Sequence, residues 1–104
     1  MFVHGGGFRA LSKDSHWIMG IAFARRGYCV FNTSYRLAPR DPFPTGLGDV
    51  AQAYRFVVDH GAKFGADTER LILAGESAGA NLVSALTLTA CFRRKEHWAS
   101  RVFE

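Results

Sequence analysis

The stretch LILAGESAG, residues 71–79, decides the fold of this 104-residue chain. Its first four residues are apolar and follow a short polar turn, which is typical of a strand covered on both faces. An Ala- and Leu-rich run continues to about residue 92 and indicates a helix. A strand that turns into a helix around Ser77, between Gly75 and Gly79, matches the nucleophile-elbow arrangement, which presents a serine hydroxyl above a sheet. An ordinary strand–helix turn with small residues is the alternative interpretation of these five letters alone.

Two strand–helix units precede this stretch. Residues 1–4 form a short apolar run that ends in glycines and predicts a first strand. Apolar residues at helical spacing predict helices over residues 14–26 and from about residue 45 to 60, and the β-favouring run at residues 28–31 predicts a second strand. The alternation predicts an α/β fold, a parallel three-stranded βαβαβα sheet with helices on both faces. The expected strand order has the first and third strands side by side and the second strand outside the first, an order in which both crossovers can be right-handed.

The first predicted strand ends in the sequence HGGGF, residues 4–8. Three successive glycines leave backbone N–H groups free to face an anion. A phosphate-binding loop would need a Gly-Lys-Ser/Thr ending, which residues 8–10 do not supply, and no GxGxxG sequence is present. The predicted strand order brings this loop beside Ser77, because neighbouring strands lie about 4.8 Å apart and end at the same edge. A glycine loop beside an exposed serine indicates attack on a carbonyl through an acyl-enzyme intermediate.

Three motifs, in this order, resemble the hormone-sensitive-lipase branch of the α/β-hydrolase fold. They are HGGGF at residues 4–8, YRLAP at 35–39 followed by FP at 43–44, and GESAG at 75–79 followed by NL at 81–82. The resemblance extends from about residue 2 to residue 90 and corresponds to only part of a family member.

The resemblance implies a serine carboxylesterase or lipase acting on small-molecule carboxylic esters, with Ser77 as the nucleophile. By the same resemblance, the oxyanion hole is formed by the backbone N–H groups of Gly6, Gly7 and Ala78. His4 and Gly5 are expected to shape that loop. This chemistry uses side chains, backbone donors and water, so no cofactor and no metal are expected.

A serine nucleophile needs a base that is oriented by a carboxylate, and in this fold the acid and then the histidine follow the serine along the chain. The ionisable candidates after Ser77 are Glu96, His97 and Glu104. A continuous helix of 20 residues would place His97 roughly 30 Å from the turn, which disfavours it as the base. We therefore expect residues 1–104 to form a partial α/β-hydrolase domain that lacks the later strands with the acid and the histidine. The isolated chain is expected to be inactive.

The other polar side chains near the motifs are expected to be structural or solvated. Glu76 adjoins the nucleophile but is not thereby the triad acid, and the histidines on predicted helices are expected to be solvated or to cap a helix. Tyr35 and Arg36 begin a segment with three prolines, which excludes a regular element there, and both are expected to anchor that loop to the interior. The other side chains that are expected to be structural or solvated are His16, His60, Asp49 and Asp59.

The composition limits the number of domains and excludes some classes of protein. Thirteen Lys and Arg against nine Asp and Glu give a formal net charge of +4, and 48% of the residues are hydrophobic, which allows one domain at most. The basic excess is scattered, so nucleic-acid binding is not expected, and no apolar run is long enough for a membrane span. Cys29 and Cys91 have no metal-like spacing and are expected to be buried free thiols in a reducing compartment. No signal peptide precedes the first motif, so a cytoplasmic location is expected.

Two other functional classes stay open on the sequence alone. One is a non-catalytic binding module that keeps the crevice at the sheet edge but not the triad. The other is a serine hydrolase that acts on amides or arylformamides instead of esters. A reading frame that continues into an acid and then a histidine on strand-end loops would distinguish an enzyme from a binding module, and substrate profiling would separate esters from amides.

Overall fold

The computed structural model describes residues 1–92, so the tail, with Glu96, His97 and Glu104, lies outside the described residues. Three short strands alternate with three helices, as the sequence predicts. The strands are β1 (Phe2–Val3), β2 (Asn32–Thr33) and β3 (Ala74–Gly75); the helices are α1 (Trp17–Ala24), α2 (Thr45–His60) and α3 (Ala78–Cys91), with 3₁₀ turns at Lys13–His16 and Gly61–Phe64.

The three strands form one parallel sheet in the order β2-β1-β3, which confirms the predicted fold class and strand order. Phe2 lies opposite Asn32 on one side and Ala74 on the other. β1 is therefore the central strand. Since parallel strands end at a common edge, the glycine loop after β1 and the turn after β3 leave the sheet side by side.

The predicted bounds of the two outer strands are wrong. The second strand forms at Asn32–Thr33 instead of residues 28–31, and the third at Ala74–Gly75 instead of residues 71–74. The reason is that β1, only two residues long, decides which residues can pair. The Phe2 N–H donates to the Phe31 carbonyl at 2.8 Å, which sets the start of the ladder on that side.

The prediction that both cysteines are buried is also wrong, since Cys29 and Cys91 are free and exposed. Cys29 lies in the segment that precedes the true second strand and therefore stays outside the sheet. Cys91 lies on the last turn of α3, beyond the buried part of that helix.

Successive side chains of a strand point to opposite faces, so the two residues of β1 contact different helices. Val3 is fully buried among side chains of α2 and α3. The ring of Phe2 lies 6.0 Å from the ring of His16, at the start of α1. Helices therefore cover both faces, and the main core lies on the side of α2 and α3. That core consists of Val3, Tyr35, Leu47, Val50, Ala51, Leu82, Val83 and Leu86.

The amphipathic pattern predicts α2 well, because Leu47, Val50, Ala51 and Val57 are buried at helical spacing. The first helix is shorter than predicted, since a 3₁₀ turn takes up its first residues. Within residues 1–92, no helix is both long and apolar enough to cross a membrane.

The closest packing between sheet and helix occurs at Gly79, in the first turn of α3. A Cβ atom added there would overlap the carbonyl oxygen of Val3 and would lie 2.5 Å from that of His4. The backbone of α3 can approach the end of β1 this closely only because residue 79 has no side chain.

We predict that Gly79→Ala destabilises the protein. In an open helix this change stabilises by about 0.5–1 kcal/mol, but here the methyl group must push α3 off β1, so the free energy of unfolding should fall by about 2 kcal/mol or more. Urea unfolding of the protein measures this decrease in the free energy of unfolding. Gly20→Ala, also inside a helix, is the matched control. Its new Cβ would meet the end of the Asn32 side chain at 3.1 Å and no backbone atom, so its cost should be smaller than that of Gly79→Ala. Equal stability of Gly79→Ala and wild type would contradict this packing.

Candidate active site

Ser77 sits at the corner between β3 and α3 in an unusual backbone conformation. It is exposed, with φ 51° and ψ −115°, a region that residues with a side chain rarely adopt. The peptide groups beside it are held by hydrogen bonds. The Glu76 N–H donates to the Val3 carbonyl at 3.2 Å, and the Gly79 N–H donates to the Glu76 carbonyl at 2.8 Å. This is the geometry that the nucleophile-elbow pattern predicts.

Two further glycines make room for this corner. A Cβ atom on Gly75 would lie 2.5 Å from the backbone carbonyl of Gly79. One on Gly5 would lie 2.9 Å from the Glu76 oxygen and 3.2 Å from Cβ of Ser77. The glycine loop and the serine turn are therefore in direct contact, as the strand order predicts.

The glycine loop folds back on itself immediately after this contact. Gly6 and Gly7 have φ values of 113° and 62°, and Phe8 also has a positive φ, 64°. The Gly6 carbonyl accepts hydrogen bonds from the N–H groups of Arg9 and Ala10, both at 3.1 Å. The sequence predicts the glycines of this loop but not the positive φ of Phe8.

The N–H groups of the loop and of the helix start are available to an anion. Among residues 1–92, no backbone carbonyl accepts a hydrogen bond from the N–H of Gly6, Gly7 or Ala78. Ala78 is the first residue of α3, where N–H groups have no partner inside the helix and the helix dipole favours negative charge. Unpaired donors on both sides of Ser77 suit a group that becomes negative during a reaction.

His4 is buried beneath this loop with 1% of its surface exposed. Its Nδ1 lies 2.6 Å from the Gly5 carbonyl, and because a carbonyl only accepts, Nδ1 is the protonated nitrogen. Its ring stacks on Tyr35, with centroids 4.4 Å apart and planes 11° from parallel. The Tyr35 hydroxyl donates to the His4 carbonyl at 2.9 Å. Burial raises the pKa of Tyr35, which keeps that hydroxyl protonated and donating.

The proline-rich loop is anchored as the sequence predicts. Arg36 makes a bidentate ion pair with Asp49 of α2. The Arg36 Nε lies 2.9 Å from Oδ2, and Nη2 lies 2.8 Å from Oδ1. The backbone N–H of Arg36 also donates to Asp49, at 2.9 Å. The Ala38 N–H donates to the Phe8 carbonyl at 2.8 Å. These contacts tie the glycine loop to α2 through the proline-rich loop.

The prediction of a solvated or capping role is wrong for His16. Its Nε2 is hydrogen-bonded to the carboxylate of Glu76, and only 17% of its side chain is exposed. It makes no capping hydrogen bond to α1. Sixty residues separate the two partners, so helical spacing within either segment carries no signal of the pair. His60 lies far along α2, with its ring 5.0 Å from that of Phe56.

A cavity of about 360 Å³ opens between the glycine loop, the proline-rich loop and α3. Its lining includes Gly7 and Phe8 of the glycine loop, Tyr35 of the proline-rich loop, and Asn81 and Leu82 of α3. The cavity thus begins at the loop whose N–H groups are unpaired. Within residues 1–92, no three His, Cys, Asp or Glu side chains come together as a metal site.

Comparison with known proteins finds relatives that are similar in sequence and in fold. A solved structure of a bacterial heroin esterase superposes on 86% of this chain, and on 29% of its own, with a TM-score of 0.83 and 34% sequence identity. Lipase 2 of Moraxella sp. is 38% identical over 85 residues, which are 81% of this chain and 20% of the lipase. Hormone-sensitive lipase of Bos taurus is 40% identical over 89 residues, 85% of this chain and 12% of the lipase.

The chain therefore spans a fifth or less of the length of these two lipases. The sequence profile of the alpha/beta hydrolase fold matches residues 1–102, almost the whole chain. The same segment contains the parallel sheet, the strained serine turn and the glycine loop described above. This chain belongs to the α/β-hydrolase fold family, as part of a hormone-sensitive-lipase-like member.

Proposed function

We propose that the protein carrying this chain is a serine hydrolase that cleaves carboxylic esters, with Ser77 as its nucleophile. The observation that carries the proposal is the contact between two features. An exposed serine in a strained turn lies against a glycine loop, and the N–H groups on both sides have no backbone partner in the described part of the chain, residues 1–92. The relatives are lipases and an esterase by name, which supports an ester over an amide as the bond that is cleaved.

In the proposed reaction, Ser77 Oγ attacks the ester carbonyl carbon while a base takes the hydroxyl proton. The carbonyl oxygen becomes negative and accepts hydrogen bonds from the N–H groups of Gly6, Gly7 and Ala78. The C–O bond to the alcohol then breaks, and the base returns the proton to the leaving oxygen. Water, activated by the same base, hydrolyses the acyl-enzyme and restores the Ser77 hydroxyl. One such donor contributes about 3 kcal/mol to the stability of the transition state.

The backbone donors suit this role because they are fixed before the substrate arrives. The buried His4 ring donates a hydrogen bond to the Gly5 carbonyl and so restricts the loop. The Tyr35 hydroxyl donates to the His4 carbonyl. Donors that do not reorient during the reaction stabilise developing charge more than water does. His4 and Gly5 therefore act on the loop and not on the substrate.

We propose that the base and its acid lie outside residues 1–104. His4 faces the Gly5 carbonyl and Tyr35, and His16 is bonded to Glu76, so the histidines near Ser77 have structural partners. In α/β hydrolases the acid and the histidine follow the serine in the chain. Residues 1–104 would thus supply the nucleophile and the oxyanion hole of a larger domain.

The cavity beside the loop suits a small ester. Its volume of about 360 Å³ is near the lower end for small-molecule sites, which span about 300–1,000 Å³. Phe8 and Leu82 are apolar parts of its lining, and Asn81 is a polar part. Arg9, Arg36 and Asp41 add charged groups. An acyl or alcohol group of a few carbons fits such a space.

We predict that Ser77→Ala abolishes hydrolysis of a short p-nitrophenyl ester by the intact protein and abolishes labelling by a fluorophosphonate probe. Removal of the nucleophile should lower kcat by a factor of about 10⁴ or more. Ser84→Ala, on the same helix, is the matched control. Within residues 1–92 its exposed hydroxyl donates to the Ala80 carbonyl alone, and activity should be unchanged. Labelling that survives Ser77→Ala would reject the assignment.

We also predict that the purified 104-residue chain alone hydrolyses the same ester at no more than a small fraction of the rate of the intact protein. Without a base, the serine hydroxyl stays protonated and is a weak nucleophile. The measurement compares initial rates per mole of folded protein, with circular dichroism to confirm the fold. Robust hydrolysis that depends on Ser77 would overturn the proposal that the base lies elsewhere.

A further inference from the structure

His16 contacts both halves of the proposed catalytic site. It lies at the end of the 3₁₀ turn before α1. Its Nε2 bonds the carboxylate of Glu76, the residue before the nucleophile, and its ring lies 6.3 Å from the ring of His4, 23° from parallel. We propose that His16 is a positioning residue for hydrolysis, which holds the turn carrying Ser77 in register with the glycine loop. The inference rests on the proposed function.

The turn needs to be held because the Ser77 conformation is sparsely populated in proteins and persists only where its surroundings fix it. From one side, the main chain of Glu76 is fixed by two hydrogen bonds, to the carbonyl of Val3 and from the N–H of Gly79. Those bonds do not constrain its side chain. His16, at the start of α1, constrains the Glu76 side chain through the hydrogen bond to its carboxylate.

His16 has little freedom to make a different contact. Its ring is mostly buried and lies 6.0 Å from the ring of Phe2 as well as against His4. Its Nδ1 is buried and has no hydrogen-bond partner among residues 1–92, so Glu76 is the polar partner of this ring there. The nearest charges in sequence, Lys13 and Asp14, pair with each other at 2.9 Å on the exposed surface. An imidazole held in this way fixes the Glu76 carboxylate, unlike a fully exposed ion pair.

This placement gives His16 a specific consequence for catalysis. Ser77 Oγ and the loop donors must act on the same carbonyl group, one on its carbon and the others on its oxygen. A misplacement of about 1 Å between such groups can reduce the rate about a hundredfold. Substrate binding in the neighbouring cavity does not involve His16 or Glu76, which do not line it. Loss of the pair should therefore lower kcat and leave KM nearly unchanged.

The test uses three substitutions in the intact protein. His16→Phe keeps a ring against Phe2 and His4 but removes the donor, and should lower kcat and the rate of fluorophosphonate labelling about 10- to 100-fold with little change in KM. His16→Gln keeps an N–H donor at similar reach and should recover most of kcat. Glu76→Ala removes the partner and should match His16→Phe. The double variant should be no worse than either single variant, since all remove one contact.

The control is His60→Phe, the same substitution at a histidine that packs on Phe56 near the end of α2. It should leave kcat at the wild-type level. All rates are expressed per folded molecule, with the folded fraction measured by circular dichroism. If His16→Phe does not fold, Glu76→Ala decides the question, because the Glu76 side chain is 60% exposed and its removal leaves no cavity.

Two results would overturn the inference while leaving the proposed function intact. Wild-type kcat in Glu76→Ala, or additive losses in the double variant, would show that the pair does not position the nucleophile. Complete loss of labelling in His16→Phe, equal to that in Ser77→Ala, would show that His16 acts on the reacting atoms themselves. Failure of the proposed function has a separate signature, namely hydrolysis or labelling that persists in Ser77→Ala.

Discussion

The close approach of two backbones, at the end of β1 and the start of α3, is the constraint on which the rest of this structure depends. Gly79 lies against the carbonyls of Val3 and His4, and Gly5 lies against the Glu76 carbonyl and Ser77 Cβ. Neither approach is possible with a side chain present. Together they interlock the glycine loop and the serine turn. Because β1 is the central strand, this contact also ties the site to both neighbouring strands.

The strained serine is stable because several weak contacts act on its neighbours. A backbone conformation of this kind costs about 1–3 kcal/mol. A hydrogen bond contributes about 1 kcal/mol on average, so the bonds to Val3 and from Gly79, with the packing of Leu82 and Leu86 behind them, are of the right size to offset it. The strained backbone of Ser77 thus leaves its hydroxyl exposed, while the hydrogen bonds and apolar contacts that stabilise the turn lie on its buried side.

Features that depend on local sequence can be predicted, and features that depend on distant pairing cannot. The glycines at residues 5, 75 and 79 predict tight turns because only their lack of a side chain permits the backbone path, and the three prolines predict an irregular loop. The strand order β2-β1-β3 is compatible with right-handed crossovers, but handedness alone does not fix it. The strand bounds do not follow from local sequence, because pairing with β1 falls after the run 28–31, at Asn32–Thr33, and at the end of the run 71–74, at Ala74–Gly75. The contact between His16 and Glu76 leaves no periodic signal, since it forms only when the sheet brings the two segments together.

Backbone donors in the candidate site can be predicted from short motifs, whereas the partners of its side chains cannot. Stabilisation of an oxyanion uses backbone N–H groups, whose direction is set by φ and ψ, so glycine positions within short motifs encode it directly. Proton transfer uses side chains whose partners come from separate segments, and no short motif encodes such partners. A histidine near the serine in space is therefore weak evidence for a base unless its hydrogen bonds are known. His4 and His16 illustrate the point, since both lie close to the site and each is already bonded, one to the loop and one to the turn. Under the proposed function, these bonds give both histidines a structural role, and the base is proposed to be a different residue.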